Sequence, residues 1–138
     1  MIKPIVLPSN GSITKFPGAQ FRYFESFFKN KKSEKYFSQL QNEIHWKNDY
    51  ITIYGKTYPQ PRLTALYSTN SIPYSYSGIT MYPNQITPLL LELKNSVHKV
   101  SDIEFTTILL NQYRDGKDSN GWHSDNEKEL GANPTIAS

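Results

Sequence analysis

The sequence predicts an α+β fold that is mainly β and is built around one sheet system. Three observations lead to this class. Apolar residues recur at helical spacing early in the chain and again near residue 90. Most of the remaining chain consists of short β-prone segments separated by glycine and proline. The 138 residues suit a single domain, because a second hydrophobic core would be cramped in so short a chain.

An irregular lead-in and a helix are predicted for the first third of the chain. Residues 1–20 are rich in proline, glycine, serine and asparagine, which favours irregular structure. Residues 21–28 are aromatic and either extended or helical, since periodicity does not distinguish the two over so short a run. Ser33 is the expected N-cap of a helix that ends near Trp46.

Short strands and a second helix are predicted for the rest of the chain. The segments expected to be strands are residues 50–54, 62–68, 74–81 and 105–113, and residues 135–138 begin another. Thr87 and Pro88 indicate a helix start, because threonine caps the first N–H groups and proline lacks the N–H that would be unsatisfied there. This helix is expected to run to about His98, and the polar residues 114–121 form a predicted loop.

Composition and charge narrow the class of protein. The chain has no cysteine, so disulfides, zinc–thiolate sites and thiol nucleophiles are excluded, which fits an intracellular protein, cytoplasmic if the source is bacterial. No apolar run approaches the roughly 18 residues of a membrane span, so no membrane partner is expected. Residues 1–60 carry nine basic and four acidic side chains, and residues 61–138 carry six and eight. This asymmetry suggests a polyanion-facing surface beside a carboxylate-containing site, with a solvated lysine-rich helix as the alternative.

Side chains suited to a metal site occur on the last predicted strand and just after it. Alternate residues of residues 105–113 share one face of a strand, so Asn111 and Tyr113 project side by side. His123 and Asp125 are also two residues apart and present an imidazole and a carboxylate together if this segment is extended. These groups are two of the ligands of a 2-His-1-carboxylate iron site. The spacing alone also fits a surface turn, and the upstream strand favours the iron site.

Six short motifs occur in order along the chain. They are residues 61–67 (PRLTALY), 74–78 (YSYSG), 111–116 (NQYRDG), 121–127 (GWHSDNE), 130–131 (LG) and 134–138 (PTIAS). Together they resemble the AlkB family of Fe(II)- and 2-oxoglutarate-dependent dioxygenases, which repair alkylated nucleic acids. The resemblance implies the N-terminal two-thirds of a double-stranded β-helix, or jelly roll, that is incomplete at its C-terminus. Residues 1–20 would precede a partial domain at residues 21–138, with a nucleotide-recognition region at about residues 50–82.

The resemblance implies a role for each residue that matches a motif. His123 and Asp125 would bind Fe(II), and Asn111 and Tyr113 would hydrogen-bond the co-substrate 2-oxoglutarate. Of the residues that would contact the alkylated DNA or RNA, Tyr76 would stack on the flipped base and Glu127 would contact its exocyclic amine. Tyr74 and Ser77 would lie at the phosphate or the pocket wall, and Arg62 would lie in the recognition lid. Tyr54 would lie in a hairpin that some duplex-acting members push into the base stack.

A structural interpretation stands beside several of these roles. Tyr54, Tyr74 and Tyr76 would also fit half-buried strand positions, and Glu127 would fit a solvated position among other charges. With the family match, a position in the substrate pocket and a solvated position are about equally favoured for Glu127.

The implied activity is oxidative demethylation of alkylated bases in DNA, with RNA as a further substrate class, and it uses Fe(II), 2-oxoglutarate and O2. Lesions of the N1-methyladenine and N3-methylcytosine type offer no leaving group for hydrolysis, whereas an oxidised methyl carbon departs as formaldehyde. Because the target carbon lies inside the base stack, the nucleotide must first be extruded. The alternatives are an inactive truncated fragment that only binds nucleic acid and a dioxygenase of this fold with another substrate.

One departure from the family pattern concerns the metal ligands. In the family the second iron histidine and two late arginines lie on strands that would follow Ser138, and the only other histidines here are His45 and His98. Both stand near predicted helix ends, where histidine usually interacts with carbonyls and the helix dipole. We therefore expect activity to need a further C-terminal segment, and we expect a monomer when the domain is complete.

Overall fold

The computed structural model describes residues 6–76, 79–125 and 127–138, apart from the side chains of Ile53 and Tyr76. The chain divides into two compact units, residues 1–42 and residues 43–138.

A β-hairpin begins the first unit. Strand β1 (Thr14–Phe16) pairs antiparallel with β2 (Ala19–Phe21). Pro17 and Gly18 form the connecting turn, and Gly18 has the positive φ of 75° that the third position of a type II turn requires. The lead-in that the sequence predicts to be irregular therefore contains regular structure at this turn.

The helix of this unit begins earlier than the sequence predicts. Helix α1 (Asn30–Glu43) starts three residues before Ser33, so the predicted N-cap is wrong. The Ser33 hydroxyl instead donates hydrogen bonds to the carbonyls of Phe28 and Lys29, the pattern of a serine already inside a helix. Residues 21–28 form no helix.

An aromatic cluster provides the apolar contacts of the first unit. Edge-to-face ring contacts link Phe24 to Phe27, Phe27 to Phe28, and Phe28 to Tyr36 on α1, with centroids 4.7–5.9 Å apart. Tyr36 is buried. Such ring pairs contribute to the stability of the fold beyond the apolar area that they bury, so they compensate for the few aliphatic residues in this part of the chain.

The second unit contains seven strands and one α-helix among its described residues. These are β3 (Tyr50–Ile53), β4 (Lys56–Pro59), β5 (Leu63–Ser68), β6 (Tyr74–Tyr76), β7 (Ile79–Met81), β8 (Asn84–Gln85), α2 (Pro88–Ser101) and β9 (Thr107–Gln112), followed by a 3₁₀ turn at Lys128–Leu130. The predicted class is confirmed at this level, since short strands predominate and two α-helices accompany them.

A three-stranded sheet forms the centre of the second unit. Its order is β8-β5-β9, with β5 parallel to β8 and antiparallel to β9. Residues 64–68 of β5 are all buried. Burial on both faces explains why this strand is a nearly continuous run of small and apolar residues rather than an alternating one.

Two hairpins flank β5 in the sequence. β3 and β4 pair antiparallel through Tyr54 and Gly55, whose φ values of 49° and 76° are those of a type I′ turn. β6 and β7 pair with Tyr74 opposite Met81, so the segment predicted as a single β piece over residues 74–81 is a hairpin.

Helix α2 begins where the sequence predicts. The Thr87 side chain accepts a hydrogen bond from the backbone N–H of Leu90 at 3.2 Å, and Pro88 is the first helical residue. Leu89 and Leu90 are buried, which anchors the helix in the core of this unit. No helix in the described ranges is long and apolar enough to cross a membrane.

The last predicted strands are shorter than expected or absent. β9 covers residues 107–112 rather than 105–113, because only these residues pair with β5. Residues 135–138 form no strand, since no neighbouring strand in the described chain pairs with them.

Candidate functional site

The candidate site begins at the end of β9. Exposed and partly buried side chains alternate along this strand, and Asn111 and Tyr113 both belong to the exposed set. Asn111 lies opposite Thr64 in the register of β5, and its side-chain oxygen accepts a hydrogen bond from the Arg62 Nε at 3.1 Å. The pleat therefore presents the Asn111 amide on the exposed face of β9, and the exposed Tyr113 directly follows the last residue of the strand.

The loop after β9 is held by an ion pair between an arginine and an aspartate. Arg114 donates from Nε and Nη2 to the two oxygens of Asp118 at 2.7 and 2.9 Å, and its backbone N–H donates to the same carboxylate. These bonds favour the charged carboxylate and lower the pKa of Asp118 to about 2. Bidentate pairing of this kind fixes orientation as well as distance.

Two further hydrogen bonds anchor this loop to the start of β5. The Ser119 N–H donates to the Pro61 carbonyl at 2.9 Å, and Arg62 Nη1 donates to the Ser119 carbonyl at 3.3 Å. The chain that leads to His123 is therefore fixed to the centre of the sheet rather than free in solvent.

His123 and Asp125 converge in the structure. His123 Nε2 lies 3.4 Å from Asp125 Oδ1, and the two side chains are 56% and 42% exposed. His123 Nδ1 lies 2.9 Å from the Gly121 carbonyl oxygen. A carbonyl only accepts, so Nδ1 carries a proton, and Nε2 is the ring nitrogen that faces Asp125. A metal-ligating histidine is commonly oriented in this way.

The donor set fits two ligands of one metal ion. Two atoms 3.4 Å apart can each lie about 2.1 Å from a common ion, the usual distance for imidazole and carboxylate ligands. Within residues 6–76, 79–125 and 127–138, no group of three or more histidine or acidic side chains could hold a metal. His123 and Asp125 could thus supply two ligands and not a complete coordination sphere.

A buried carboxylate oxygen lies close by in the sequence. The Tyr74 phenol donates a hydrogen bond to the Glu127 carboxylate; burial first, and then the charge of Glu127, raise the pKa of Tyr74 far above its usual range. Glu127 Oε2 is buried and has no hydrogen-bond partner among the described atoms. An unpaired buried acceptor is costly, and such an atom calls for a donor beyond the described atoms.

The other predicted site residues have different surroundings. Tyr54 is fully exposed at the tip of the β3–β4 hairpin. Ser77 lies outside the described residues, and so does the side chain of Tyr76, whose backbone pairs with Ile79. Arg62 stands at the entry to β5 and bonds to Asn111. The structure therefore joins a residue expected in the recognition lid to one expected at the co-substrate.

The remaining histidines make other contacts. His98 Nδ1 donates to the Ile103 carbonyl at 3.0 Å, just beyond α2, which is the kind of carbonyl interaction expected at a helix end. His45 lines a cleft of about 80 Å³ together with Lys47, Asp49 and Tyr82.

Sequence reasoning missed two contributors to the site. Asp118 holds the loop, and its signal was an oppositely charged residue four positions after Arg114. Gly121 orients His123 through a backbone carbonyl, for which the sequence carries no side-chain signal.

Comparison with known proteins adds a second line of observation. The sequence model of the 2OG-Fe(II) oxygenase superfamily matches residues 20–138. The chain is 45% identical over 109 residues to the alpha-ketoglutarate-dependent dioxygenase alkB homolog 3 of Bos taurus, covering 78% of this chain and 37% of that protein. The Homo sapiens protein of that name is 41% identical over 116 residues, which is 83% of this chain and 40% of the relative.

A second group of relatives carries another name. The DNA oxidative demethylase ALKBH2 of Arabidopsis thaliana is 32% identical over 135 residues, covering 95% of this chain and 43% of that protein. The Mus musculus protein of the same name is 32% identical over 114 residues, or 80% of this chain and 48% of the relative. The matches span less than half the length of each of these relatives.

Proposed function

This chain belongs to the 2OG-Fe(II) oxygenase superfamily and, within it, to the AlkB family, and from that premise we propose that it serves the oxidative demethylation of alkylated bases in nucleic acid. The relatives' names specify alpha-ketoglutarate-dependent dioxygenation and DNA demethylation. The proposal includes Fe(II), 2-oxoglutarate and O2, and DNA with 1-methyladenine or 3-methylcytosine lesions as substrate. It also includes a partial jelly-roll domain over residues 21–138 with a nucleotide-recognition region near residues 50–82.

His123 and Asp125 would hold the metal in this proposal. Nε2 of His123 and Oδ1 of Asp125 are the donor atoms, and the Gly121 carbonyl keeps the imidazole in the tautomer that can bind. Iron held there would supply the oxidation of an N-methyl group to N-hydroxymethyl by O2, with 2-oxoglutarate giving two electrons as it loses carbon dioxide, and the hydroxymethyl group would leave as formaldehyde. The protein's part is to orient both substrates beside this centre and to exclude water.

Asn111 and Tyr113 would bind 2-oxoglutarate. The carboxylates of this molecule only accept hydrogen bonds, so the residues that hold it must donate. Because the Asn111 oxygen is engaged by Arg62, its NH2 group remains to donate, and the Tyr113 phenol, one residue beyond β9, is 48% exposed.

The observation that carries the proposal is the unpaired Oε2 of Glu127. A buried carboxylate oxygen is satisfied by a hydrogen-bond donor, and the exocyclic amines of adenine, cytosine and guanine are donors of this kind. Glu127 stands two residues after Asp125, so a base that satisfied it would be held next to the proposed metal ligands. This arrangement supports 1-methyladenine and 3-methylcytosine rather than lesions of bases that lack an exocyclic amine.

Access to such a site requires extrusion of the nucleotide. Tyr76 is the proposed stacking partner of the extruded base, with Tyr74 and Ser77 beside it. The exposed turn at Tyr54 and Gly55 is proposed to enter the base stack of a duplex, for which an aromatic ring at a hairpin tip is suited.

Formaldehyde release tests the proposal. This chain, joined to a C-terminal segment that carries a second histidine and the arginine pair, is given Fe(II), 2-oxoglutarate and ascorbate. The oligonucleotides carry 3-methylcytosine, which has an exocyclic amine, or 3-methylthymine, which has a carbonyl in its place. We expect 3-methylcytosine to be preferred and His123→Ala to abolish turnover. Binding of oligonucleotide without any turnover would support the nucleic-acid-binding alternative, and turnover with equal rates for both lesions would contradict the role of Glu127.

A further inference from the structure

Arg62 contacts two parts of the candidate site at once. Its Nε donates to the Asn111 side-chain oxygen, and its Nη1 donates to the Ser119 carbonyl in the loop that precedes His123. The backbone at this position is fixed as well, because the Asn48 amide donates to the carbonyls of Gln60 and Arg62 at 3.0 and 3.1 Å. One half-buried guanidinium therefore bridges the end of β9 and the loop beyond it.

The donor-only chemistry of arginine determines how the Asn111 amide is oriented. The oxygen and nitrogen of an asparagine amide have almost the same shape, so packing alone does not select one orientation. A guanidinium has no acceptor atom, so the oxygen must face Arg62 and the NH2 group must face away. The flipped amide would place N–H against N–H and lose the hydrogen bond.

We infer that Arg62 is a positioning residue for co-substrate binding. It holds the Asn111 amide so that the NH2 group faces a carboxylate of 2-oxoglutarate. This inference rests on the proposed function, since it takes 2-oxoglutarate as the molecule bound. Arg62 does not touch the co-substrate in this arrangement and acts through Asn111. The contact with Ser119 fixes the loop toward His123 at the same time.

Solution NMR of the side-chain amide of Asn111 tests the positioning without any co-substrate. In the wild-type protein the side chain should occupy a single rotamer, whereas Arg62→Met, which keeps a long apolar stem without donors, should give rotamer-averaged couplings. Ser119→Ala is the matched control, because Arg62 bonds to the backbone carbonyl of Ser119 and not to its hydroxyl. An Asn111 rotamer that is unchanged in Arg62→Met overturns the inference.

Titration with 2-oxoglutarate, followed by NMR, tests the consequence for binding. We expect Arg62→Met to weaken the affinity about three- to tenfold, the usual effect of leaving one interfacial side chain unordered before binding. Asn111→Ala should weaken it too, and the double variant should be no weaker than Asn111→Ala alone if Arg62 acts through this amide. Additive losses would overturn the inference.

Asn111→Asp separates the inference from general loss of structure. This variant keeps an acceptor for Arg62 but has no NH2 group, so the Arg62 Nε–H signal should persist while the response to 2-oxoglutarate is lost. If the wild-type Asn111 amide does not respond to 2-oxoglutarate, the co-substrate assignment of the proposed function fails, and this inference fails with it. If it responds and Arg62→Met changes neither rotamer nor affinity, the positioning role alone is refuted.

Discussion

Replacing Glu127 by glutamine probes the acceptor that is proposed to select the base. Glutamine keeps the size of the side chain and retains one oxygen for the hydrogen bond from Tyr74. With the oxygen held there, the amide nitrogen takes the place of the buried, unpaired Oε2. The variant therefore exchanges an acceptor for a donor without creating a cavity.

The magnitude follows from one hydrogen bond at a buried atom. A hydrogen bond to a charged group contributes about 1.5–3 kcal/mol, which corresponds to about a ten- to hundredfold change in kcat/KM. Glu127→Gln should lose this factor with 3-methylcytosine, because two donors then face each other. With 3-methylthymine it should lose little or gain, since the carbonyl of that base can accept from the new amide.

The assay measures formaldehyde released from equimolar 3-methylcytosine and 3-methylthymine oligonucleotides, together with Fe(II) affinity by calorimetry. Glu127→Ala serves as the comparison, since it removes the acceptor and adds no donor. An unchanged lesion ratio in Glu127→Gln would refute the reasoning. Collapse of Fe(II) binding with an unchanged ratio would instead place Glu127 among the metal ligands.

Three further predictions concern the hairpin, the metal and the loop. Tyr54→Asn preserves the type I′ turn and removes the aromatic ring. Turnover on duplex DNA should slow by the factor that corresponds to about 1–3 kcal/mol of lost stacking, and turnover on single-stranded DNA should not change. Equal losses on both substrates would contradict the role of Tyr54. Residues 1–138 alone should bind Fe(II) weakly in calorimetry and release no formaldehyde, because His123 and Asp125 are the two convergent donors described. Joining a segment with a second histidine and the arginine pair should restore turnover. Robust turnover without that segment would disprove the need for further ligands. The pKa of Asp118 is lowered from 3.8 to about 2, so its pairing with Arg114 stabilises the folded protein above pH about 4 and is lost as the pH falls through about 2. Asp118→Asn should reduce this acid dependence of urea unfolding, and an identical profile would refute it.

The sequence by itself determined the features that depend on neighbouring residues. Thr87 and Pro88 specify the start of α2, because capping involves atoms within three residues of each other. Gly55 permits the positive φ that the β3–β4 hairpin needs, and His123 and Asp125 are close partly because they are close in the chain. Local signals were also misread: Pro17 and Gly18 indicated a turn within a segment interpreted as irregular.

Only the tertiary structure decided which distant groups meet. The Arg62 side chain bonds to Asn111 and to Ser119, 49 and 57 residues away, and no spacing rule in the sequence predicts such contacts. Tyr74 reaches Glu127 in the same way and leaves one carboxylate oxygen unpaired. The physical reason is that strand pairing and loop anchoring, not local propensity, set these distances, and the pairing of β5 with β9 brings Arg62 beside the end of β9.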